Sequence, residues 1–155
     1  MTDTIESRLA ARNIVLPEAA APAANYLPYV ITGSLLFISG QLPMENGAIA
    51  VKGLLGRDVD VATGQRAAEL CAINILSQAK SALGGDLERI VRVVKLSGFV
   101  ASEPSFTDQH LVINGASNLI ADLLGEAGKH ARAAVGMACL PLNAAVEIDA
   151  VIEIG

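Results

Sequence analysis

Arg132 is the side chain of this sequence best suited to bind a small anion. It lies in the stretch 130–154, which reads HARAAVGMACLPLNAAVEIDAVIEI, and its alternate neighbours Ala134, Gly136 and Ala138 are small. A guanidinium can bind a carboxylate through two parallel hydrogen bonds. The small neighbours leave room beside it for a ligand or for another subunit packed close.

The same stretch predicts a C-terminal β-hairpin. Apolar and mostly acidic residues alternate over 146–154, which is the period of a strand with one buried face. Residues 140–143 (LPLN) are a turn signal. In this hairpin Arg132 lies opposite Glu153, so a cross-strand ion pair is the alternative to a ligand. Arg132 and Glu147 would leave the same sheet face, about 20 Å apart along the strands.

The composition predicts one folded domain with an aliphatic core. The chain has 155 residues, of which 52% are hydrophobic, 17% charged and only 3% aromatic. Its net charge of -5 and pI of about 4.9 argue against a nucleic-acid binder, which needs a basic face. Cys71 and Cys139 lie in apolar patterns and are expected to be buried free thiols in a reducing cytoplasm, not a disulfide.

The sequence shows no pattern of a secreted protein, a membrane protein, a metal site or a phosphate-binding loop. The first residues lack the apolar core of a signal peptide, and no apolar run is long enough to span a membrane. No His, Cys, Asp or Glu cluster has ligand spacing, and no glycine-rich phosphate loop is present. We therefore expect no metal and no cofactor.

The remaining elements predict an α+β sandwich. Amphipathic or apolar patterns predict helices at 4–13, 60–83 and 105–124, and strands at 29–31, 35–39, 49–55 and 90–100. Asp60 is a candidate N-cap, and 105–108 resembles a capping box. Residues 1–21 form an N-terminal helix and arm, and 22–155 form the domain.

Within that domain the order is β-β-β-α-β-α-β-β, one mixed sheet with two helices on one face. The other face, on which the hairpin places Arg132, has no helix to cover it. It must be wet or covered by another subunit, so we expect an oligomer.

Several motifs together resemble one family. They are Tyr26, the run Ser39-Gly40-Gln41-Leu42-Pro43, Asn114, Arg132 and Glu147, in the family's order and approximate spacing. The sequence resembles the RidA family, also called YjgF-like or reactive-intermediate deaminases, over 26–154. The strongest match is ARAAVGMACLPLNAAVEIDAV. The resemblance implies a chorismate-mutase-like fold of the bacillus type and a homotrimer with clefts between subunits. It also implies hydrolysis of small enamines and imines, such as 2-iminobutanoate and 2-iminopropanoate, to 2-keto acids and ammonia without a cofactor.

The resemblance also assigns roles to residues. Arg132 would bind the substrate carboxylate, and Glu147 would position or activate the attacking water. The hydroxyl of Tyr26 would reach into the cleft. Substrate-binding positions would be Ser39, Gly40 with its backbone N–H, Asn114 and Ala134.

Three positions depart from the family pattern. Ala134 replaces a frequent cysteine, so only its main-chain carbonyl remains for a role there. His130 and Lys129 stand where many members have a proline and an aromatic residue. His130 would either tune the pocket or be a plain strand-edge residue.

Three functions compete on these residues. The first is an imine hydrolase, and the second a trimer that binds small carboxylates without turnover. The third is a protein-interaction or holdase module. The endoribonuclease label of the family is disfavoured by the acidic charge. The hairpin puts Arg132 and Glu147 too far apart for one small ligand, so we expect them to serve it from different subunits.

Overall fold

The fold is described by a computed structural model of residues 2–20 and 25–155. The α-helices are α1 (Ile5–Ala11), α2 (Val61–Ala82) and α3 (Gln109–Leu124). The strands are β1 (Tyr29–Thr32), β2 (Leu35–Gln41), β3 (Met44–Glu45), β4 (Ala48–Ile49), β5 (Ile90–Ala101), β6 (Ala131–Met137) and β7 (Val146–Ile154). Short 3-10 turns at Leu87–Arg89, Gly125–Gly128 and Pro141–Asn143 connect them. The expected α+β fold with one mixed main sheet is confirmed.

The C-terminal hairpin is not formed, and that prediction is wrong. The main sheet has the order β1-β2-β7-β5-β6, so β5 lies between β6 and β7. β5 runs antiparallel to β7 and parallel to β6. The segment β5-α3-β6 is a strand–helix–strand crossover, and such a crossover is what parallel neighbours require. The alternation in the sequence identifies the strands but does not identify their partners.

The third predicted strand, 49–55, is also wrong. Its place is taken by the small β3–β4 hairpin, which turns at Asn46 and Gly47 with φ of 53° and 80°. The chain then loops back, and Asp58 accepts a hydrogen bond from the Leu54 amide at 2.9 Å. The Leu55 amide reaches the end of β5, donating to the Ala101 carbonyl at 2.8 Å. Capping by Asp58 closes this segment as a loop.

The two long helices pack on one face of the sheet. α2 contacts β2 and β7, while α3 contacts β5 and β6. Asp60 caps α2 as predicted, accepting from the Thr63 amide at 2.8 Å. The capping box predicted at 105–108 does not form, and α3 begins at Gln109. The Gln109 side chain instead donates to the Phe106 carbonyl at 2.7 Å, which holds the preceding turn outside the helix.

The N-terminal helix α1 is a third helix beside these two. Thr4 and Ser7 form its capping box, and Ile5 and Leu9 are its buried residues. Residues 21–24, and with them the predicted boundary between residues 21 and 22, lie outside the described residues. The division of the chain at that point stays a prediction.

The sheet face opposite the helices carries apolar side chains that are open to solvent in the single chain. Val30, Phe37 and Val135 are 49%, 43% and 42% exposed. Val30 and Phe37 are direct cross-strand partners, and Phe37 also faces Val151. We call this surface, with the acidic side chains of β7 that share it, the open face.

Close contact between α2 and α3 gives the first testable prediction. A Cβ on Gly115 would lie 2.8 Å from the Gln65 carbonyl carbon, so Gly115→Ala must push the helices apart. We expect a loss of about 1–3 kcal/mol in the free energy of unfolding, read from thermal or denaturant unfolding. Asn118→Ala on the exposed side of α3 is the matched control. A gain in stability from Gly115→Ala, as helix propensity alone predicts, would contradict this packing.

Candidate functional site

Arg132 lies on the edge strand β6 and points toward α3. Its Nη1 donates to Asn114 Oδ1 at 2.8 Å and to Ser117 Oγ at 3.2 Å, and its Nη2 donates to the His110 carbonyl at 3.3 Å. The cross-strand partner of Arg132 is Leu96, whereas Glu153 pairs with residues of β2 and β5. The alternative to a ligand, a cross-strand ion pair of Arg132 with Glu153, is therefore not formed.

The guanidinium of Arg132 has donors left over. Of its five N–H groups, three are used in these contacts, which leaves Nε–H and one N–H on Nη2 without a partner among the described residues. The same two nitrogens of Arg8 bind Asp3, each at 2.9 Å from a different carboxylate oxygen. Arg132 thus keeps available the pair of donors that this chain uses elsewhere to bind a carboxylate.

Two side chains on α3 bind this arginine, and a third side chain after the helix contacts one of them. Asn114 was predicted from the resemblance, and the structure brings it into direct contact with Arg132. Ser117 was not among the predicted site residues, and no pattern in the sequence identifies its contact with Arg132. His130 reaches the same hydroxyl, with Nε2 2.9 Å from Ser117 Oγ. Ala134 follows on the same side of β6 and packs against the core.

Glu147 lies on the other side of the sheet. Its neighbours Val146 and Ile148 are buried toward the helices, so Glu147 points to the open face. The side chains of Arg132 and Glu147 therefore project from opposite faces of the main sheet. The prediction that they project from the same face is wrong. Their partners on β5, Leu96 and Phe99, are three positions apart. This separates the two residues by about 10 Å along the strands and two strand spacings, about 10 Å, across them.

Glu147 is held against a bulge in β2. The register between β2 and β7 shifts between Ile38 and Gln41, and this places Gly40 directly under the Glu147 side chain. A Cβ at Gly40 would lie 3.0 Å from the Glu147 carboxyl carbon and closer still to one of its oxygens. Glycine at this position therefore leaves the space that the carboxyl group occupies.

The surroundings of Glu147 change its acidity. Partial burial raises the pKa of the Glu147 carboxyl above its ordinary value, and the nearby Asp149 on the same strand raises it further. A carboxyl group with a raised pKa exchanges protons closer to neutral pH, which suits general acid–base work.

Ser39 and Tyr26 complete this half of the predicted site. The Ser39 hydroxyl donates to the Leu27 carbonyl at 2.7 Å, and the Ser39 amide donates to the Pro28 carbonyl at 2.9 Å. Ser39 thus fixes the segment that follows Tyr26, whose side chain is 61% exposed. β1 and β6 are opposite edges of the sheet, so Tyr26 and Arg132 do not meet within one chain.

The predicted residues therefore fall into two groups. An arginine group at the β6 edge contains Asn114, Arg132 and Ala134. A glutamate group near the β2 bulge contains Tyr26, Ser39, Gly40 and Glu147. In one chain Arg132 contacts Asn114 and Gly40 lies against Glu147, whereas Tyr26 is linked to its group only through the Ser39 contact with Leu27. The two groups do not meet within the chain.

A separate cavity of about 590 Å³ lies between residues 12–20, the β3–β4 hairpin and α2. It includes none of the predicted site residues, although Gln41, next to Gly40, lines it. Within residues 2–20 and 25–155, no cluster of three or more His, Cys, Asp or Glu is placed to hold a metal. None of the helices in that part of the chain has the length and apolar character of a membrane span.

Comparison with known proteins gives consistent matches. The family described as "YjgF/chorismate mutase-like, putative endoribonuclease" matches residues 6–154. Protein TCP17 of Trypanosoma cruzi is 51% identical over 151 residues, 97% of this chain and 94% of that protein.

Two solved structures are similar to this chain over most of its length. The crystal structure of a protein of unknown function from Agrobacterium tumefaciens is 68% identical, with a TM-score of 0.93, covering 97% of this chain and 92% of that one. RidA from the Antarctic bacterium Psychrobacter sp. is 27% identical, with a TM-score of 0.59, covering 88% and 94%. The fold is thus similar to both, and much more closely to the first.

Proposed function

Since the chain belongs to the RidA/YjgF-like family and has its chorismate-mutase-like fold, we propose that it is a cytoplasmic hydrolase of small 2-imino acids. The products are the 2-keto acid and ammonia. The observation that carries this proposal is the pair of free donors on Arg132, at a sheet edge where a ligand can approach. A net charge of -5 further favours a small substrate over RNA.

The active unit in this proposal is a homotrimer with clefts between subunits. The arginine group of one copy would meet the glutamate group of the next. Two observations support this: the two groups leave opposite faces of the sheet, and the open face exposes Val30, Phe37 and Val135. Burial of such side chains would stabilise the association, and the same contact would complete the site.

The proposed reaction needs only these side chains and water. Nε and Nη2 of Arg132 bind the substrate carboxylate and orient the imine carbon. Water adds to the carbon of the protonated imine while Glu147 accepts one proton from the water, which gives a neutral carbinolamine. Glu147 then gives this proton to the nitrogen. The carbon–nitrogen bond breaks with its electron pair going to the leaving ammonia, and the carbinolamine hydroxyl passes its proton to Glu147 as the carbonyl forms. No cofactor is required, because an imine is already electrophilic.

The other members of the two groups would position the reactants. The Tyr26 hydroxyl and the Gly40 backbone N–H would donate hydrogen bonds to the substrate or to the attacking water. The main-chain carbonyl of Ala134 would serve at the position where relatives have a cysteine, so no thiol is needed for the chemistry.

The experiment that tests this function is release of 2-keto acid from enzymatically generated 2-iminobutanoate and 2-iminopropanoate. We expect acceleration over the spontaneous reaction, in proportion to the protein added. If neither imine is accelerated while 2-oxobutanoate binds, the protein is a carboxylate-binding module, and the proposed hydrolysis of these imines is wrong.

The acidity of Glu147 gives a prediction on pH. The proposed base must be ionised to accept the proton, so activity should fall as the pH drops through the raised pKa of Glu147. The acidic limb of the pH–activity profile, where activity falls with decreasing pH, should therefore lie at higher pH than for a glutamate with an ordinary pKa. Asp149→Asn removes the smaller of the two causes of the raised pKa. It should move the limb part of the way toward lower pH. An unchanged limb would contradict the role of Glu147 as base.

A further inference from the structure

We propose that His130 is a positioning residue that orients the guanidinium of Arg132 through the hydroxyl of Ser117. This inference rests on the proposed function, because the orientation matters only if Arg132 binds a carboxylate. It assigns to His130 a role that neither the sequence motifs nor the mechanism above requires.

The first step is the proton position on the His130 ring. Nδ1 lies 2.6 Å from the Gly128 carbonyl oxygen. A carbonyl oxygen can only accept, so Nδ1 must carry the hydrogen. In the neutral imidazole, Nε2 is then an acceptor, and it lies 2.9 Å from Ser117 Oγ. Ser117 is therefore the donor in that contact.

The second step is the consequence for Ser117. A hydroxyl has one hydrogen and two lone pairs. With its hydrogen directed to His130, Ser117 presents only lone pairs toward Nη1 of Arg132, at 3.2 Å. Together with Asn114 Oδ1 at 2.8 Å, this occupies both hydrogens of Nη1. The guanidinium is then held through Nη1, with one further hydrogen bond from Nη2 to the His110 carbonyl, and Nε–H and the second Nη2 hydrogen stay available to a ligand.

The third step is that the support is itself rigid. Gly128 is buried, and its Cα lies so close to α3 that an added Cβ would be 3.0 Å from the Ala121 Cα. The carbonyl that fixes the ring is thereby tied to the same helix that carries Ser117. The imidazole of His130 thus connects the Gly128 carbonyl, in the turn after α3, to Ser117 on α3 itself. His130 directly precedes β6. Without the ring, the Ser117 hydroxyl loses the acceptor that fixes its hydrogen, and its lone pairs are no longer held in one orientation toward Nη1.

The test compares His130→Ala with His130→Gln in the full-length protein. The Gln amide oxygen can still accept from Ser117, whereas Ala cannot. We expect His130→Ala to raise KM for 2-iminobutanoate and Kd for 2-oxobutanoate about 3–10-fold, the effect of losing one oriented hydrogen bond. We expect kcat to change less than about 2-fold, and His130→Gln to restore most of the affinity. Equal losses in the two variants, or a fall in kcat at unchanged KM, would overturn the proposal.

Two NMR measurements on the unliganded protein separate this inference from the proposed function. The ring nitrogen shifts of His130 should show the Nδ1–H tautomer, and the Arg132 Nη hydrogens should exchange with solvent several-fold faster in His130→Ala than in wild type or His130→Gln. An Nε2–H tautomer, or exchange rates that do not differ, would overturn the positioning role even if imines are hydrolysed. If both NMR results hold while wild type neither binds nor hydrolyses, the proposed function fails and the orientation of Arg132 by His130 stands.

Discussion

Arg132→Ala is expected to lower kcat/KM for 2-iminobutanoate by about 100-fold or more while the protein stays folded and assembled. The two donors left free on Arg132 would make charge-assisted hydrogen bonds to the substrate carboxylate, each worth about 1.5–3 kcal/mol. Arg132 sits at the sheet edge, outside the apolar core, and its contacts to Asn114 and Ser117 lie at the surface of α3. Its loss should therefore cost affinity for the substrate far more than stability.

The measurement is 2-keto acid release, with the assembly state checked by size and the fold by circular dichroism. Arg132→Lys keeps the charge but not the planar pair of donors, so it should recover only part of the activity. Arg92→Ala, an exposed arginine on β5, is the matched control and should leave kcat/KM unchanged. Activity of Arg132→Ala near that of wild type would show that the carboxylate is bound elsewhere.

Glu147→Gln is expected to lower kcat by about 10²–10⁴-fold, the usual contribution of a positioned acid–base group. The amide matches the carboxylate in size, so packing over Gly40 is retained while the ability to accept a proton is lost. KM should change little, because in the proposed mechanism Arg132 supplies the binding of the carboxylate. Steady-state kinetics at the pH of maximum activity measure both values.

Glu153→Gln is the matched control for this change. Glu153 lies on the same face of β7 as Glu147, but it belongs to neither group of predicted site residues. It should keep wild-type kcat. A similar loss in both variants would point to the overall charge of the open face, and unchanged kcat in Glu147→Gln would remove Glu147 from the mechanism.

The positions of helices and strands along the chain were predicted better than the pairing of the strands in the sheet. The 60–83 prediction for α2 is confirmed to within one residue at each end, because an N-cap aspartate, an apolar stripe and two glycines all agree. The hairpin prediction failed because a period of two specifies a strand and its buried face but not its neighbour. The order of strand, helix and strand over β5, α3 and β6 was the signal for a parallel pair.

This error also misplaced the site. The relative orientation of Arg132 and Glu147 depends on β5, which lies between their strands, and no pattern within β6 or β7 contains that information. The resemblance identified Arg132, Asn114 and Glu147 as candidates, and their roles remain predictions. The contact of Arg132 with Ser117 could not be predicted, since it depends on how α3 packs over the sheet.

The expectation that two subunits share one site now rests on the observed separation of the arginine group from the glutamate group. It no longer rests on the geometry of a C-terminal hairpin. The predicted separation of about 20 Å between Arg132 and Glu147 was calculated along a β-hairpin. The structure has no such hairpin, so that value does not apply. Their position on opposite faces of one sheet, two strand spacings apart, leads to the same expectation on different grounds: we expect Arg132 of one copy and Glu147 of another to act on one substrate.

Co-assembly of two inactive variants tests this central claim most directly. Arg132→Ala and Glu147→Gln, carrying different affinity tags, would be expressed together, and mixed assemblies purified through both tags in turn. In the proposed homotrimer, every assembly that carries both tags has one of its three clefts with both side chains intact, so imine hydrolysis should return to about one third of wild type. If the mixed assemblies stay as inactive as either variant alone, the two residues do not act on one substrate from different copies.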